Sequence, residues 1–331
     1  MRPACAIHAF DGAERLGYDA DSCSAGRWTC HMLRGDFEAA WRESDRIAAR
    51  GRPDPNRFWD GTPIEGKSVI LRCLHGLGDT LQFVRYVQLM RTHARTITIE
   101  AQPPLKDLLG QAQIVDEVIT WGEAEPSWNQ QIEIVELPRV FRTTLETIPC
   151  SVPYLNVAGE TTAPLAHPAG DRPLRVGLVW ASGSHNLARC MPLTQMNSLF
   201  GVPGVYFYSL QAPPERRELL DCASKITDVY DWAACPLEAA RTLNSIDLLV
   251  TVDTMMAHLA GAMGRPVWML LPFACDWRWM LDRTDSPWYP TMRIFRQPCP
   301  GDWASVTLSV EQELKKLVTA RPLVLPAALA E

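Results

Sequence analysis

The residues of this chain best suited to chemistry are polar side chains that directly follow apolar runs. Asp79 comes after the apolar run 68–74 (SVILRCL), behind the turn His75-Gly76-Leu77-Gly78. A carboxylate in this position can complement the positive end of a helix dipole, or it can take a proton from a hydroxyl group as a general base. The pattern alone leaves both interpretations open.

A second polar position follows the apolar run 246–252 (IDLLVTV). Asp253 and Thr254 end this run, and the small residues of MMAHLAGAMG then predict a helix that packs closely on a sheet. If Thr254 caps this helix, the helix start presents N–H groups at a positive dipole end, where anions such as phosphate bind. An ordinary strand–helix–strand unit without a ligand has the same pattern.

Two sets of alternating strand and helix patterns contain these residues, which predicts an α/β fold. A segment rich in proline, alanine and threonine separates the sets at 148–172. The first set has predicted strands at 68–74, 97–101, 116–121 and 131–137, and helices near 79–93 and 104–111. The second has predicted strands at 174–180, 205–211, 246–252 and 267–271, and helices near 193–200, from Pro214, at 236–244, after Thr254 and near 309–319.

The predicted domains follow this division. Residues 1–58 are expected to form an irregular N-terminus with one amphipathic, repeat-like helix at 36–50, and residues 59–160 a first Rossmann-like domain. Residues 171–320 are expected to form a second such domain, with a tail at 321–331. The length of 331 residues suits two domains of ordinary size.

Composition excludes several classes of function. The net charge of −6 provides no basic surface for nucleic acid, and no apolar run is long enough to predict a membrane span. The ten cysteines show no C-x-x-C spacing and the N-terminus has no signal-peptide pattern, so we predict reduced thiols and a cytoplasmic protein. Asp19-Ala20-Asp21 resembles a metal-binding D-x-D motif, but it follows no predicted strand, so we interpret it as a solvated turn.

Several segments together carry a resemblance to a known family. They span roughly residues 58–318 and include FWDGTPIEGKSVILRCLHGLGDTLQFVRYV, FRTTLETIPCSVPYL, LRVGLVWASGSHN, VYFYSLQ, DLLVTVDTMMAHLAGAMGRPVWMLLPFACDWRWMLDRTDSPWYPTMRIFRQP and GDW. The chain resembles the glycosyltransferase domain found downstream of tetratricopeptide repeats in many bacterial proteins. That domain is similar to glycosyltransferase family 9, the ADP-heptose:lipopolysaccharide heptosyltransferases.

The resemblance implies a GT-B glycosyltransferase, with two Rossmann-like domains facing each other across a cleft. It implies transfer of a sugar from a nucleotide-diphosphate sugar to an acceptor hydroxyl, with no metal and no cofactor beyond the sugar nucleotide. The sequence does not specify whether the acceptor is a glycan, a lipid-linked molecule or a protein.

The resemblance also implies roles for individual residues. The family's Gly-Asp at the first strand–helix turn carries the catalytic base, which matches Asp79. The implied donor-binding residues are Ser182, Gly183, Ser184, Arg189, Gln211, Asp253, Thr254, Met255, Met256 and His258, with Glu215 as a further candidate for the ribose. The implied acceptor side of the cleft contains His75, Gly76, Gly78, Thr80 and Gln82.

Two other classes of function remain open. A catalytically silent binding module is favoured by Met255-Met256, which replaces the smaller residues usual at that helix start. A dinucleotide-dependent oxidoreductase is suggested by Gly76-x-Gly78, but Leu81 stands at the third glycine position and the Asp79 carboxylate would repel a pyrophosphate. Arg278 likewise has two interpretations, since it can neutralise the donor diphosphate or pair with Asp282.

Overall fold

The computed structural model describes residues 1–51, 53–54, 57–159, 161, 165, 173–183, 187–221 and 225–320. The chain divides into two compact units. The first comprises Met1–Asn156 and Ala274–Pro290, and the second comprises Val157–Phe273 and Thr291–Glu331. Each unit contains its own parallel β-sheet, so the α/β fold class with two Rossmann-like units is confirmed. The predicted tail at 321–331 lies outside the described residues.

The first unit begins with three helices and continues with alternating strands and helices. Its elements are α1 (Pro3–Arg15), α2 (Ala20–Leu33), α3 (Phe37–Gly51), β1 (Ser68–Arg72), α4 (Leu77–Phe83), α5 (Val87–Met90), β2 (Thr96–Ala101), α6 (Lys106–Ala112), β3 (Glu117–Thr120), β4 (Gln130–Glu133) and α7 (Leu137–Val140). The predicted helix at 79–93 is divided, because a 3₁₀ turn at Val84–Tyr86 separates α4 from α5.

The four strands of the first unit pair in parallel in the order β3-β2-β1-β4. Val69 of β1 lies opposite Ile97 of β2 and opposite Gln130 of β4. The chain therefore adds β2 and β3 on one side of β1 and then returns to place β4 on the other side. Crevices at such a reversal of strand order are where open parallel sheets bind ligands, beyond the carboxyl ends of the strands.

The prediction of an irregular N-terminus at 1–35 is wrong, because α1 and α2 cover most of this segment. Asp19 is the N-cap of α2, where its side chain accepts the N–H of Ser22 at 2.7 Å, so the D-x-D motif is a helix start. A glycine normally disfavours a helix interior. Here Gly26 allows α1 and α2 to pack closely, since a Cβ atom at this position would lie 2.3 Å from the ring of Phe10.

The second unit continues the alternation of strands and helices. Its elements are β5 (Leu174–Val179), β6 (Val205–Ser209), β7 (Ile226–Asp228), α8 (Pro236–Asn244), β8 (Leu248–Val252), α9 (Met255–Ala262), β9 (Val267–Leu271), β10 (Met292–Arg296) and α10 (Trp303–Ala320). The predicted helices near 193–200 and from Pro214 are 3₁₀ segments instead, at Leu193–Met196, Leu199–Gly201 and Glu215–Asp221.

The six strands of the second unit are also parallel, in the order β10-β9-β8-β5-β6-β7. Val179 of β5 lies opposite Thr251 of β8. The chain builds outward from β5 through β6 and β7, and then reverses to build outward through β8, β9 and β10. The reversal lies between β5 and β8, so the loops after these two strands are adjacent, as a ligand site requires.

The segment Ala274–Pro290 belongs to the first unit, although the sequence placed it in the second domain. It lies between β9 and β10 in the chain. Its large side chains Trp279, Trp288 and Tyr289 are fully buried, and burying an aromatic or large aliphatic side chain contributes about 1.5–3 kcal/mol. Sequence periodicity does not reveal this assignment, because the segment has no regular strand or α-helix.

Candidate active site

The turn after β1 positions Asp79 in the first turn of α4. Gly76 is the N-cap of this helix, and its backbone N–H donates to Asp79 Oδ2 at 2.8 Å. The carboxylate therefore occupies an N–H group that a pyrophosphate would need in a dinucleotide site. This contact argues against the oxidoreductase alternative, and it fixes one carboxylate oxygen at the reversal point of the first sheet.

Arg278 fixes the other oxygen of Asp79. Its Nη2 donates to Asp79 Oδ1, its Nε donates to Gln82 Oε1 at 2.7 Å, and its Nη1 donates to Asp276 Oδ1 at 2.9 Å. The side chain of Arg278 is 14% exposed and that of Asp79 is 24% exposed, so water screens this ion pair only partly. The predicted pairing of Arg278 with Asp282 is replaced by pairing with Asp79 and Asp276.

Two of the residues predicted for the acceptor side support the turn from within the fold. Thr80 is fully buried, and its hydroxyl donates to Gln102 Oε1 at 2.9 Å, while Gln102 Nε2 donates to the carbonyl of His75 at 2.8 Å. Gln82 is also fully buried against Arg278. Thr80 and Gln82 are therefore absent from the residues that line the cavity beside Asp79, and their contact with an acceptor stays a prediction.

His75 is exposed at the same turn, and its Nε2 lies 3.6 Å from Glu133 Oε2 at the end of β4. Burial raises the pKa of Glu133 above its ordinary value, although the N–H of Leu74, the nearby His75 and the N–H of Val135 oppose this shift. Gly76 and Gly78 provide the N-cap and the first turn of α4. The turn thus presents the Asp79 carboxylate and the exposed imidazole of His75.

A cavity of 510 Å³ lies directly against Asp79 and Arg278. Helices α2 and α3 form one wall of it, and the turn after β1 and the segment after β4 form the other. The lining residues are Ala25, Trp28, Thr29, Trp41, Ser44, Ile47, His75, Asp79, Val135, Glu136, Pro138, Arg139, Trp277 and Arg278. Aromatic rings beside charged groups suit a ligand that carries both apolar surface and hydroxyl groups.

A second cavity of 770 Å³ adjoins the first and is more apolar. The two cavities share Ser44, Ile47, Glu136 and Arg139, and the second also contacts the exposed side chains of Phe58 and Leu74. The space available near Asp79 is therefore larger than a single sugar ring.

The loop after β5 and the start of α9 meet in the second unit. Ser182 Oγ accepts a hydrogen bond of 2.6 Å from Arg189 Nε, and Arg189 Nη1 lies 3.9 Å from Asp253 Oδ2. Gly183 has open space where a Cβ would lie. The structure thus brings Ser182, Arg189 and Asp253 together at the reversal point of the second sheet. Ser184 lies outside the described residues.

Thr254 is the N-cap of α9 by position, but its hydroxyl does not cap the helix. It lies 3.2 Å from the hydroxyl of Thr251 instead. His258 is buried one turn into α9, with Nε2 3.8 Å from Asp253 Oδ1. Met256 is buried and Met255 is half-buried, so of the two methionines only Met255 retains a sizeable exposed surface.

The Gln211 side chain stabilises the end of β5 through hydrogen bonds. Its Oε1 accepts the N–H groups of Trp180 and Ala181 at 3.0 and 2.9 Å, and its Nε2 donates to the carbonyl of Ala212 at 3.0 Å. The side chain is buried, and the contact of Gln211 with a nucleoside stays a prediction. Glu215 begins the 3₁₀ segment that follows and is half-buried.

Sequence reasoning missed the contact between Arg278 and Asp79. The two residues are far apart in the chain, and no local pattern connects them. The available signal was the aromatic density around Arg278, since a guanidinium group that stacks on aromatic rings is held in place. The Arg278 guanidinium lies 4.6 Å from the ring centre of Trp277 and 5.5 Å from that of Phe83.

Neither a membrane-spanning helix nor a metal-binding cluster is found in the described part of the chain. Within those ranges, no helix is long and apolar enough to cross a membrane. Among the same residues, no group of three or more histidine, cysteine, aspartate or glutamate side chains is arranged to hold a metal ion.

These features define an α/β protein of the GT-B type, built from two Rossmann-like units that each carry polar residues at the reversal of strand order. No protein-family model matches the chain. Among the solved structures that share the fold, three described as transferases are compared with the chain.

The glycosyl transferase family 9 from Veillonella parvula DSM 2008 superposes with a TM-score of 0.58 and 12% identity, covering 78% of this chain and 99% of that one. The ADP-heptose LPS heptosyltransferase II of E. coli gives a TM-score of 0.53 and 11% identity, covering 77% and 100%. The E. coli heptosyltransferase WaaC, solved with ADP-2-deoxy-2-fluoro heptose, gives a TM-score of 0.52 and 13% identity, covering 76% and 99%. The chain therefore has the fold of family 9 glycosyltransferases.

Among curated proteins, the chain is similar to Protein FlbA of Caulobacter vibrioides (strain ATCC 19089 / CIP 103742 / CB 15). The two are 24% identical over 316 residues, which covers 84% of this chain and 52% of FlbA. The chain thus spans about half the length of the curated relative it matches.

Proposed function

We propose that this chain is a glycosyltransferase that moves a sugar from a nucleotide-diphosphate sugar to an acceptor hydroxyl, without a metal ion. The observation that carries the proposal is the chemistry at the two reversal points. The first sheet presents a carboxylate, Asp79, beside a cavity, and the second presents a cation, Arg189, beside a helix start. Glycosyl transfer needs a proton acceptor and a site that stabilises a leaving diphosphate.

In this proposal Asp79 is the general base. The acceptor occupies the cavity of 510 Å³ and directs a hydroxyl group at the carboxylate. The acceptor oxygen forms a new bond to the anomeric carbon of the sugar, while its proton passes to Asp79. The bond between the anomeric carbon and the diphosphate oxygen breaks, and its electron pair leaves with the diphosphate.

The donor diphosphate binds between Arg189 and the first turn of α9. Arg189 is anchored through Nε on Ser182, so its charge is held in place before the ligand arrives. The helix start contributes backbone N–H groups, which the hydroxyl of Thr254 does not cap. Asp253 would repel the phosphates by itself, and the nearby guanidinium of Arg189 offsets this charge.

We take an adenosine diphosphate sugar as the first donor to test, because WaaC was solved with such a compound. The purified chain is titrated with ADP, UDP and GDP in a calorimeter, and release of the nucleoside diphosphate from each sugar nucleotide is then measured with a panel of acceptors. Adding EDTA tests whether a metal is needed. The expected result is binding of one nucleotide and acceptor-dependent release that EDTA leaves unchanged.

Arg189→Ala and Arg217→Ala make a matched pair for this test. Both are arginines of the second unit, but Arg217 is exposed and its Nε donates only to the carbonyl of Pro214 in the contacts seen here. Loss of nucleotide binding in the first variant alone supports the donor site. Equal binding by both variants and the unaltered chain contradicts it.

A catalytically silent binding module is the second candidate. The side chains of Met255 and Met256 at the helix start favour it, because their bulk narrows the space for phosphates. Nucleotide binding with no sugar transfer to any acceptor would support this alternative.

A further inference from the structure

The Arg278 side chain is held at each of its three nitrogen atoms. Nε donates to Gln82 Oε1 at 2.7 Å, Nη1 donates to Asp276 Oδ1 at 2.9 Å, and Nη2 donates to Asp79 Oδ1. The ring of Trp277 lies 4.6 Å from the guanidinium carbon. An arginine with this many contacts loses little further conformational entropy when it takes part in a reaction, and it fixes the orientation of each group that it binds.

The segment that carries Arg278 is held by hydrogen bonds to buried side chains. Trp288 Nε1 donates to the carbonyl of Arg278 at 3.1 Å, and the carbonyl of Trp288 accepts Nη1 of the fully buried Arg85 at 2.5 Å. Arg85 Nε also donates to the carbonyl of Gln82 at 2.7 Å. Arg85 therefore connects the backbone carbonyls of Gln82 and Trp288, two residues that also form hydrogen bonds with Arg278.

The backbone next to Arg278 is also strained. Met280 has φ of 48° and ψ of −175°, and Asp282 has φ of 56°. A residue with a side chain seldom adopts positive φ, and such strain persists where surrounding packing imposes it. The surrounding packing therefore holds Met280 and Asp282 in an unfavourable backbone conformation, and this conformation places the segment that carries Arg278.

We propose that Arg278 is the positioning residue of Asp79 in the reaction proposed above, and this inference rests on that function. Asp79 Oδ2 is fixed by the N–H of Gly76 and Oδ1 by Arg278, so the plane of the carboxylate is set. Asp79 also lines the adjoining cavity, where a substrate hydroxyl would meet a carboxylate of fixed orientation.

The charged and titratable groups around Asp79 come from three elements. Arg278 and Asp276 belong to the segment Ala274–Pro290, His75 lies in the turn after β1, and Glu136 and Arg139 line the same cavity after β4. Of these, Arg278 alone directly contacts the Asp79 carboxylate through a hydrogen bond among the contacts described. Its removal should therefore lower the rate of transfer more than removal of another arginine of the same segment.

The experiment compares Arg278→Gln, Arg278→Lys and Arg283→Gln in the purified full chain. Arg283 is the matched control, since it lies in the same segment and its hydrogen bonds go to Asp285. For each variant, kcat and the KM for the donor are measured, together with thermal unfolding. The donor and acceptor are those that support transfer by the unaltered chain.

For Arg278→Gln we expect kcat to fall about 10–100-fold, as for a misplaced catalytic group, with the donor KM within about twofold. Arg278→Lys should restore only part of kcat, because lysine keeps the positive charge but cannot reproduce the three-sided anchoring. Arg283→Gln should match the unaltered chain.

Each outcome of this experiment either supports or overturns the role of Arg278. If the unaltered chain transfers sugar and Arg278→Gln keeps its kcat, Arg278 is only structural and the inference is overturned, while the proposed function stands. If Arg278→Gln does not fold, Arg278→Lys decides, because full kcat in that variant would equally overturn the inference. If the unaltered chain transfers no sugar to any acceptor, the proposed function fails and this inference fails with it.

Discussion

Replacing Asp79 by asparagine separates a helix-capping role from a catalytic one. The amide oxygen of asparagine can still accept the Gly76 N–H, which the carboxylate accepts at 2.8 Å. The variant loses the charge that contacts Arg278, but Arg278 keeps its contacts with Gln82 and Asp276. We therefore expect a stability loss of only about 1–2 kcal/mol, since the pair is partly exposed. Such a loss lowers Tm by roughly 2–8 °C for units of this size.

The effect on transfer should be much larger. A general base contributes about 10²–10⁴-fold to the rate, which corresponds to about 2.7–5.4 kcal/mol of transition-state stabilisation. Donor affinity should remain within about twofold, because Asp79 lies in the first unit and the proposed diphosphate contacts lie in the second. The assay is single-turnover transfer with saturating donor, alongside calorimetric titration of the nucleoside diphosphate.

Asp116→Asn is the matched control for this variant. Asp116 Oδ2 accepts the N–H of Ile97 at 2.7 Å and Oδ1 accepts Arg91 Nη1 at 3.0 Å, so it has the same two kinds of partner in the same unit. It does not line the cavity beside Asp79. Its replacement should cost a similar stability and leave transfer unchanged. Transfer by Asp79→Asn within a few-fold of the unaltered chain would refute the assignment of the base.

Three further perturbations test other parts of the structure. Arg189→Ala should weaken binding of the nucleoside diphosphate about 10–100-fold by calorimetry, as expected for loss of one charge-assisted contact, and an unchanged Kd would contradict the donor site. Gly26→Ala should destabilise the N-terminal helices by about 1–3 kcal/mol, because its Cβ has no room, whereas Gly110→Ala, which meets nothing within 4 Å, should not lower Tm. The hydrogen bonds from Arg72 lower the pKa of Glu125 from 4.5 to about 2. The Tm advantage of the unaltered chain over Glu125→Gln should therefore be complete above pH 4.5 and disappear as pH falls toward 2, and a constant difference would exclude this linkage.

The sequence predicted the elements whose periodicity is strong. The strand β9 was predicted with its observed bounds, and the strands β5 and β8 were predicted within two residues at each end. The strand β10 was missed, because five residues with two arginines do not resemble a buried strand. Helices α1 and α2 were missed because their close packing depends on Gly26, a residue that lowers helix propensity.

The candidate site was predictable only where it is local in sequence. The position of Asp79 after an apolar strand follows from the motif itself, since a helix start after a strand exposes its first turn. Its contact with Arg278 does not follow, because it depends on the packing of Trp288 and on the hydrogen bonds of Arg85. Local reasoning offered Asp282 as the partner of Arg278, and long-range packing selected Asp79 instead.

The order of strands explains why these polar residues meet at all. Arg189 and Asp253 approach each other because β5 and β8 are neighbours, and that pairing arises only when the chain reverses direction across the sheet. In the first unit the same reversal brings His75 close to Glu133. Periodicity identifies strands but not their order, so a single sequence cannot show which loops become adjacent. The reversal point of the first sheet presents the Asp79 carboxylate beside a cavity, and that of the second presents the Arg189 cation beside the start of α9. Glycosyl transfer needs both a proton acceptor and a site for the leaving diphosphate, whereas binding an anion would require only the site in the second unit. The proposed reaction therefore accounts for the presence of both sites better than ligand binding alone does.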